Sequence, residues 1–271
     1  MDYCYLNGEI LHYADCRLHI SDLQLQRGYG IFDYFRCRNG NIPWLEDYTD
    51  RLFNSIRLAG LDVDLSRKDF LAVIDGLQHR NGDCRGAFKV MVTGGYSDTL
   101  ESVTGRANFI ILHLPWNNPP EASFRKGVNL VSLHYQRPNP EIKTLFYFNT
   151  LRLRKKMQEY QAVDVLYHTG HITETSRANV FLVKGNTIYT PADGILMGIT
   201  RKQLLYLVPG IRVEKIDYEE LYSFDEMFLT STSRDITPIV SVEGKKIGDR
   251  NPGKVTKEIM ALFSEKGWSC Y

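Results

Sequence analysis

The sequence predicts an α+β chain in two domains, and three observations carry that reading. Strand and helix patterns alternate over the first 115 residues; a proline-bracketed stretch, Leu114-Pro115-Trp116-Asn117-Asn118-Pro119-Pro120, interrupts them; apolar strand-like runs dominate the second half. At 271 residues the chain can bury one large core or two modest ones. The expected division is a small N-terminal α/β domain over 1–115, a linker over 116–123 and a larger domain over 124–271.

Taken in order, Tyr3-Cys4-Tyr5-Leu6 before Asn7-Gly8 reads as a strand and turn. Gly28-Tyr29-Gly30 leads into a strand over Ile31–Cys37, closed by a turn at Asn39-Gly40. In that strand Phe32, Tyr34 and Arg36 share one face, and Ile31, Asp33, Phe35 and Cys37 the other. Leu45, Tyr48, Leu52, Ile56 and Ala59 recur at helical spacing, which predicts a helix over 45–59. A second helix is expected from the cap residue Ser66 to His79, then strands over 88–93 and 108–113 around a Gly94-Gly95-Tyr96-Ser97 loop. The second half offers strands over 128–134, 163–168, 178–183 and 187–191, the last two joined by a Lys184-Gly185-Asn186 turn. Helices are expected over 151–161, 200–208 and 255–266.

With 33 basic against 32 acidic residues, net charge gives no support to nucleic-acid binding. Five scattered cysteines (4, 16, 37, 84 and 270) without a C-x-x-C pair suit neither a disulfide framework nor a zinc site, and fit a reducing cytoplasm. No signal-peptide pattern opens the chain, and no run approaches the 18 or so apolar residues of a membrane span. Walker and Rossmann glycine motifs, H-E-x-x-H and G-x-S-x-G are all missing.

An ordered set of polar residues stands out instead. Lys143 is followed 31 positions on by Glu174, within Thr173-Glu174-Thr175-Ser176-Arg177-Ala178-Asn179-Val180-Phe181, then by Gly198-Ile199-Thr200-Arg201 and Thr230-Ser231-Thr232-Ser233. One amine, one carboxylate and two small hydroxyl-rich turns are what pyridoxal 5′-phosphate requires: a Schiff-base lysine, a partner for the pyridine nitrogen and a cradle for the phosphate. Gly198 supplies a tight turn, Thr200 can cap the helix, and the free N–H groups of Ile199 and Thr200 suit a dianion. Arg51, on an otherwise apolar helix, is the candidate counter-charge. Taken singly, each part is an ordinary surface lysine, turn acid or capped helix; the order makes the signal.

As a set these residues resemble the class IV pyridoxal-phosphate aminotransferases of fold type IV, which include D-amino acid aminotransferases, branched-chain aminotransferases and 4-amino-4-deoxychorismate lyases. The likeness runs from Tyr5-Leu6-Asn7-Gly8 and Arg27–Asp33 through Asp50-Arg51-Leu52 to Thr237-Pro238, Ile247-Gly248-Asp249 and Pro252–Thr256. Its specific marks are E-x-S-x-x-N-x-F at 174–181 and G-I-T-R at 198–201. The resemblance implies a larger C-terminal domain with a barrel-like sheet, and a homodimer. It implies Lys143 as Schiff-base lysine and proton carrier, Glu174 on the pyridine nitrogen, phosphate contacts from Arg51, Ile199, Thr200, Ser231 and Thr232, and Tyr147 near the phenolic oxygen.

D-amino acid aminotransferases of the usual type carry an arginine where this chain has Val92-Thr93-Gly94-Gly95. The substrate carboxylate still needs a cation, for which Arg27, Arg36 and Lys89 are the candidates, with Phe32 and Tyr34 facing the cofactor and Arg36 on their face. The expected activity is amino-group exchange between an amino acid, a D-amino acid by preference, and a 2-oxo acid. The alternatives are a branched-chain L-amino acid aminotransferase, pyruvate elimination from aminodeoxychorismate and cofactor binding without turnover.

Overall fold

The computed structural model describes residues 2–38, 40–82 and 85–266; Cys84, Cys270 and Asn39 of the expected turn lie outside them. The chain forms two compact units, Met1–Asn117 with Ile142–Phe146, and Asn118–Glu141 with Tyr147–Tyr271.

In the first unit β1 (Tyr3–Leu6) and β2 (Glu9–His12) form a hairpin about Asn7 and Gly8, both at positive φ (47° and 103°), as a tight two-residue hairpin turn requires. The short α1 (Leu23–Arg27) is capped by Asp22, whose Oδ1 accepts from Gln24 N at 2.8 Å. There follow β3 (Gly30–Cys37), α2 (Leu45–Ala59), α3 (Arg67–Asn81) with Ser66 as its cap, β4 (Gly86–Thr93) and β5 (Asn108–Pro115). The sheet is antiparallel in the order β2-β1-β5-β4-β3.

The alternation read from β3 holds. Ile31, Asp33, Phe35 and Cys37 are buried, while Phe32, Tyr34 and Arg36 are half-buried. Phe35 meets Tyr48 of α2 at 5.4 Å and Phe88 of β4 at 5.5 Å between ring centroids, so the buried face is the one the helix covers. The Phe32 face is thereby left for other work.

The expected domain limits need one correction. The division between Asn117 and Asn118 falls inside the expected linker, but Ile142–Phe146 belongs to the first unit, not to 124–271. The reason is backbone pairing with β3: Phe32 N donates to Lys143 O at 2.9 Å, Leu145 N donates to Gly30 O at 3.0 Å, and Thr144 bridges Ile31. The linker also holds regular structure, since α4 (Glu121–Lys126) begins within it.

The second unit continues with β6 (Val128–His134), α5 (Phe148–Arg152), α6 (Arg154–Glu159), β7 (Ala162–His168), β8 (Ile172–Thr175), β9 (Asn179–Lys184) and β10 (Thr187–Pro191). Then come α7 (Ile199–Leu207), β11 (Arg212–Glu214), β12 (Glu226–Ser231), β13 (Asp235–Val242), β14 (Lys245–Lys246) and α8 (Lys254–Glu265). The single helix expected over 151–161 is two short ones that break at Leu153. That break lets Leu153 and Met157 pack on Val131, Val165 and Tyr167.

The sheet runs β11-β10-β9-β12-β13-β6-β7-β8, and β8 also pairs with β9, so six strands close into a ring. Each ring strand adds to one apolar cluster, among them Leu130, Leu166, Ile172, Val180, Leu229 and Ile239. This is the barrel-like sheet the resemblance implied. The rung that closes it is Glu174↔Asn179.

Candidate active site

In the second unit the E-x-S-x-x-N motif spans the closing rung, and each of its polar residues holds a different piece of backbone or side chain. Glu174 is 4 % exposed. Its Oε1 accepts from Arg137 Nε at 2.8 Å and its Oε2 from Leu196 N at 2.8 Å. Arg137 also donates from Nη2 to Pro140 O, which anchors the 137–140 loop to the carboxylate. A buried carboxylate is tolerated when charged and dipolar donors surround it, and Arg137 is such a donor. Sequence reasoning missed Arg137: it lies 37 residues from Glu174 in a Gln-Arg-Pro-Asn-Pro stretch that reads as a solvated loop.

Asn179 donates from Nδ2 to Leu196 O at 2.8 Å, so Glu174 and Asn179 hold the N–H and the C=O of one residue, Leu196, on the approach to α7. A Cβ on Gly198 would stand 2.0 Å from Asn179 Oδ1, so a larger residue there would have to displace the Asn179 side chain. Gly198, not Thr200, is the helix cap, and no side chain caps it. This corrects the expected capping role of Thr200, which sits one residue inside the helix. The consequence suits an anion: the first-turn N–H groups of Ile199 and Thr200 have no intrahelical acceptor, and both residues are buried.

Ser176 and Arg177 turn the other way, to Asp164, which is fully buried. Ser176 Oγ donates to Asp164 Oδ1, and Thr175 Oγ1 donates to Oδ2 at 3.2 Å. Arg177 and Arg234 stand 3.4 and 3.5 Å from Oδ2, and both donate to Val163 O. Arg234 closes the turn after β12 that carries Ser231 and Thr232, with its own N donating to Ser231 O at 3.3 Å. Tyr147 is half-buried; burial first, then the charge of Asp164, pushes its phenol well above the ordinary range, so it stays a protonated donor.

In the first unit the Phe32 face gathers cations. Lys143 Nζ lies 4.7 Å from the Phe32 ring centroid, and Lys89 Nζ, from the residue opposite Tyr34 on β4, lies 5.8 Å from the same centroid. Arg36 is on this face but sits over Trp116, 5.2 Å from its centroid. Arg51 is bound at two points by Asp33, Nε to Oδ2 at 2.9 Å and Nη2 to Oδ1 at 2.6 Å. Arg27 does not join the group: it ends α1, half exposed, against Gln26 O and Glu101.

Each unit holds chemistry that pyridoxal phosphate would use: in the second a buried, donor-held carboxylate and an uncapped, buried helix start, and in the first an amine whose backbone is paired to β3. A family model described as amino-transferase class IV matches residues 30–242, from the first residue of β3 to the last of β13. The D-alanine aminotransferase of Bacillus licheniformis is 28 % identical over 266 residues, covering 95 % of this chain and 94 % of that one. A branched-chain amino acid aminotransferase of Escherichia coli superimposes with TM-score 0.89 at 24 % identity, over 97 % of this chain and 94 % of that one. The branched-chain enzyme of T.th., solved with pyridoxamine 5′-phosphate, does so at 0.86 and 20 %, over 99 % and 95 %. By the span of the matched family and the closed six-stranded ring, the chain belongs to the class IV aminotransferases, which depend on pyridoxal 5′-phosphate.

Proposed function

We propose that this aminotransferase moves an amino group from a D-amino acid to a 2-oxo acid such as 2-oxoglutarate or pyruvate. Bound pyridoxal phosphate supplies a reactive aldehyde and an electron sink. Lys143 would be the reacting amine and would carry the proton of the substrate Cα, while Glu174, held by Arg137 Nε, would face the pyridine nitrogen. The N–H groups of Ile199 and Thr200, with Ser231 and Thr232, would hold the phosphate, with Arg51, oriented by Asp33, as its counter-charge. Tyr147, held protonated, would serve as a donor near the phenolic oxygen.

The observation that carries the substrate side is the pair of ammonium groups on one ring, Lys89 and Lys143 over Phe32. In place of the arginine expected where this chain has Val92-Thr93-Gly94-Gly95, Lys89 offers the substrate carboxylate a cation beside the reacting amine; Arg36, over Trp116, is the second candidate. The likeness to D-alanine aminotransferases supports D-amino acids as donors.

The test is a panel of D-alanine, D-glutamate, L-leucine, L-glutamate and aromatic amines, each added alone and followed at the cofactor absorbance band. Conversion by D-amino acids supports the reading. Conversion by L-leucine alone replaces it with branched-chain exchange, and pyruvate release from aminodeoxychorismate without an acceptor replaces it with a lyase. We further infer a cytoplasmic homodimer from the family resemblance; sedimentation at the mass of a single chain would refute the dimer.

A further inference from the structure

The first turn of α7 holds a buried charge that no acid answers. Arg201, the third residue of the helix, is 5 % exposed. Its Nε donates to Thr190 Oγ1 at 3.3 Å and its Nη2 to Pro191 O at 3.0 Å, and Nη1 lies 3.9 Å from Met197 Sδ. All three partners are neutral, and no carboxylate among the described residues lies within 4.0 Å of the guanidinium. The helix dipole adds partial positive charge at the same end. Burial lowers the proton affinity of the guanidinium, as expected of a cation kept from water without a counter-ion.

A second observation points to the same place. Thr230 is 1 % exposed, and its Oγ1 is buried with no hydrogen-bond partner. In the β9–β12 register Thr230 stands opposite Asn179, so the two side chains share a face of the sheet, and Asn179 Oδ1 is the atom that abuts Gly198 at the helix start. A buried hydroxyl without a partner is uncommon and asks for one.

We propose that Arg201 is the electrostatic counterweight to a phosphate dianion at the N-terminus of α7, and that Thr230 gives that phosphate a further hydroxyl. The inference rests on the phosphate placement proposed for the cofactor and extends it: Arg201 acts on the phosphate through charge, not as a catalytic residue, and the cofactor-free protein is electrostatically unbalanced until a dianion arrives. Inorganic phosphate therefore raises the thermal midpoint of cofactor-stripped protein in a saturable way that chloride at equal ionic strength does not match. Arg201→Met weakens binding of pyridoxal 5′-phosphate about tenfold or more, while pyridoxal, which has no phosphate, binds as before. Arg201→Lys, which keeps the charge, retains most of the affinity, and Thr230→Val loses about threefold, again for the phosphorylated form only.

Equal losses for both cofactor forms in Arg201→Met would reduce Arg201 to a structural residue and overturn the inference, as would unchanged affinity for both. If Arg201→Met does not fold, the phosphate titration of the wild type decides, and no rise in its midpoint overturns the inference. Failure of the wild type to bind pyridoxal 5′-phosphate at all would instead bring down the functional reading beneath it.

Discussion

The Phe32 face of the first unit and the Glu174–Gly198 network of the second hold their polar groups by opposite physical means. In the network a buried carboxylate, a carboxamide and a glycine crowded by that carboxamide fix Leu196 and one helix start through short bonds. On the Phe32 face the cations Lys143, Lys89 and Arg36 lie against half-buried aromatic rings at 4.7–5.8 Å. Bonds of the first kind tolerate almost no displacement, whereas contacts of the second kind vary slowly with position. The rigid arrangement suits a group that never changes, a cofactor's nitrogen and phosphate. The softer one suits a substrate whose side chain differs from enzyme to enzyme across one family.

Four substitutions break or sharpen this contrast. The largest effect is expected from Lys143→Ala: turnover falls by about 10³-fold or more, and the visible absorbance of the bound cofactor shifts with it. Retention of full activity would remove Lys143 from the mechanism. In the rigid network, Arg137→Ala leaves Glu174 buried with its strongest donor gone, so the protein loses about 3–5 kcal/mol or admits water to the carboxylate. Urea unfolding measures this, and a loss below about 1 kcal/mol would show that Glu174 is held well enough without Arg137.

On the softer face Lys89→Met should raise KM for the amino acid about 10- to 100-fold with kcat changed far less, because the lost contact is made in the ground state as well as the transition state. Arg36→Met should do less, since that guanidinium is engaged with Trp116. If the two effects are reversed, Arg36 holds the carboxylate, and the Lys89–Lys143 pairing on Phe32 has another use.

The same contrast explains which features the chain shows without its structure. The helix over Leu45–Ala59, the strands Val128–His134 and Thr187–Pro191 and the alternation of Ile31–Cys37 were legible because each has one wet or half-wet face, and periodicity records that difference. Strand β8, Ile-Thr-Glu-Thr, is buried throughout and looks polar, so it reads as a turn although it closes the ring. Strand β13 is buried at all eight positions and offers no alternation. Lys143 and Glu174 were legible as residue types in sequence order. The pairing of 142–146 with β3 and the Arg137 contact depend on long-range geometry that no local pattern encodes. Thr200 was misjudged as a cap because the helix begins one residue earlier, at Ile199, and a sequence pattern does not place a helix end to the residue.

The smallest expected effect concerns acid stability, and it again separates the units. In the first unit burial raises the Cys4 thiol to about 12 and raises the phenols of Tyr5 and Tyr29. Groups held protonated in this way add stability that is complete at neutral pH and is lost only as alkali deprotonates them. In the second unit the two downward shifts that bear on acid pH are those of His168 and Glu243. His168 stacks on Tyr218 at 3.6 Å with His134 at 5.4 Å; burial first, then His134, lowers it from 6.5. Glu243 is lowered from 4.5: burial alone would raise it, but donation from Lys156 and from Ser132 N and Oγ outweighs burial. For His168 the unfolded chain takes up the proton first, so stability is undiminished above about pH 6.5 and falls as the pH drops below it. For Glu243 the contribution is complete above about pH 4.5 and disappears as the pH falls through the lower folded value. Glu243 and Lys156 are about one-third exposed, so solvent screening keeps their contribution small. Between about pH 6.5 and 5, hydrogen exchange should therefore quicken in β6 and β7 before it does in β3 and β4. His168→Phe, which keeps the stack on Tyr218 and removes the titration, should flatten that step. Equal quickening in both units, or an unchanged step in His168→Phe, would place the acid sensitivity elsewhere.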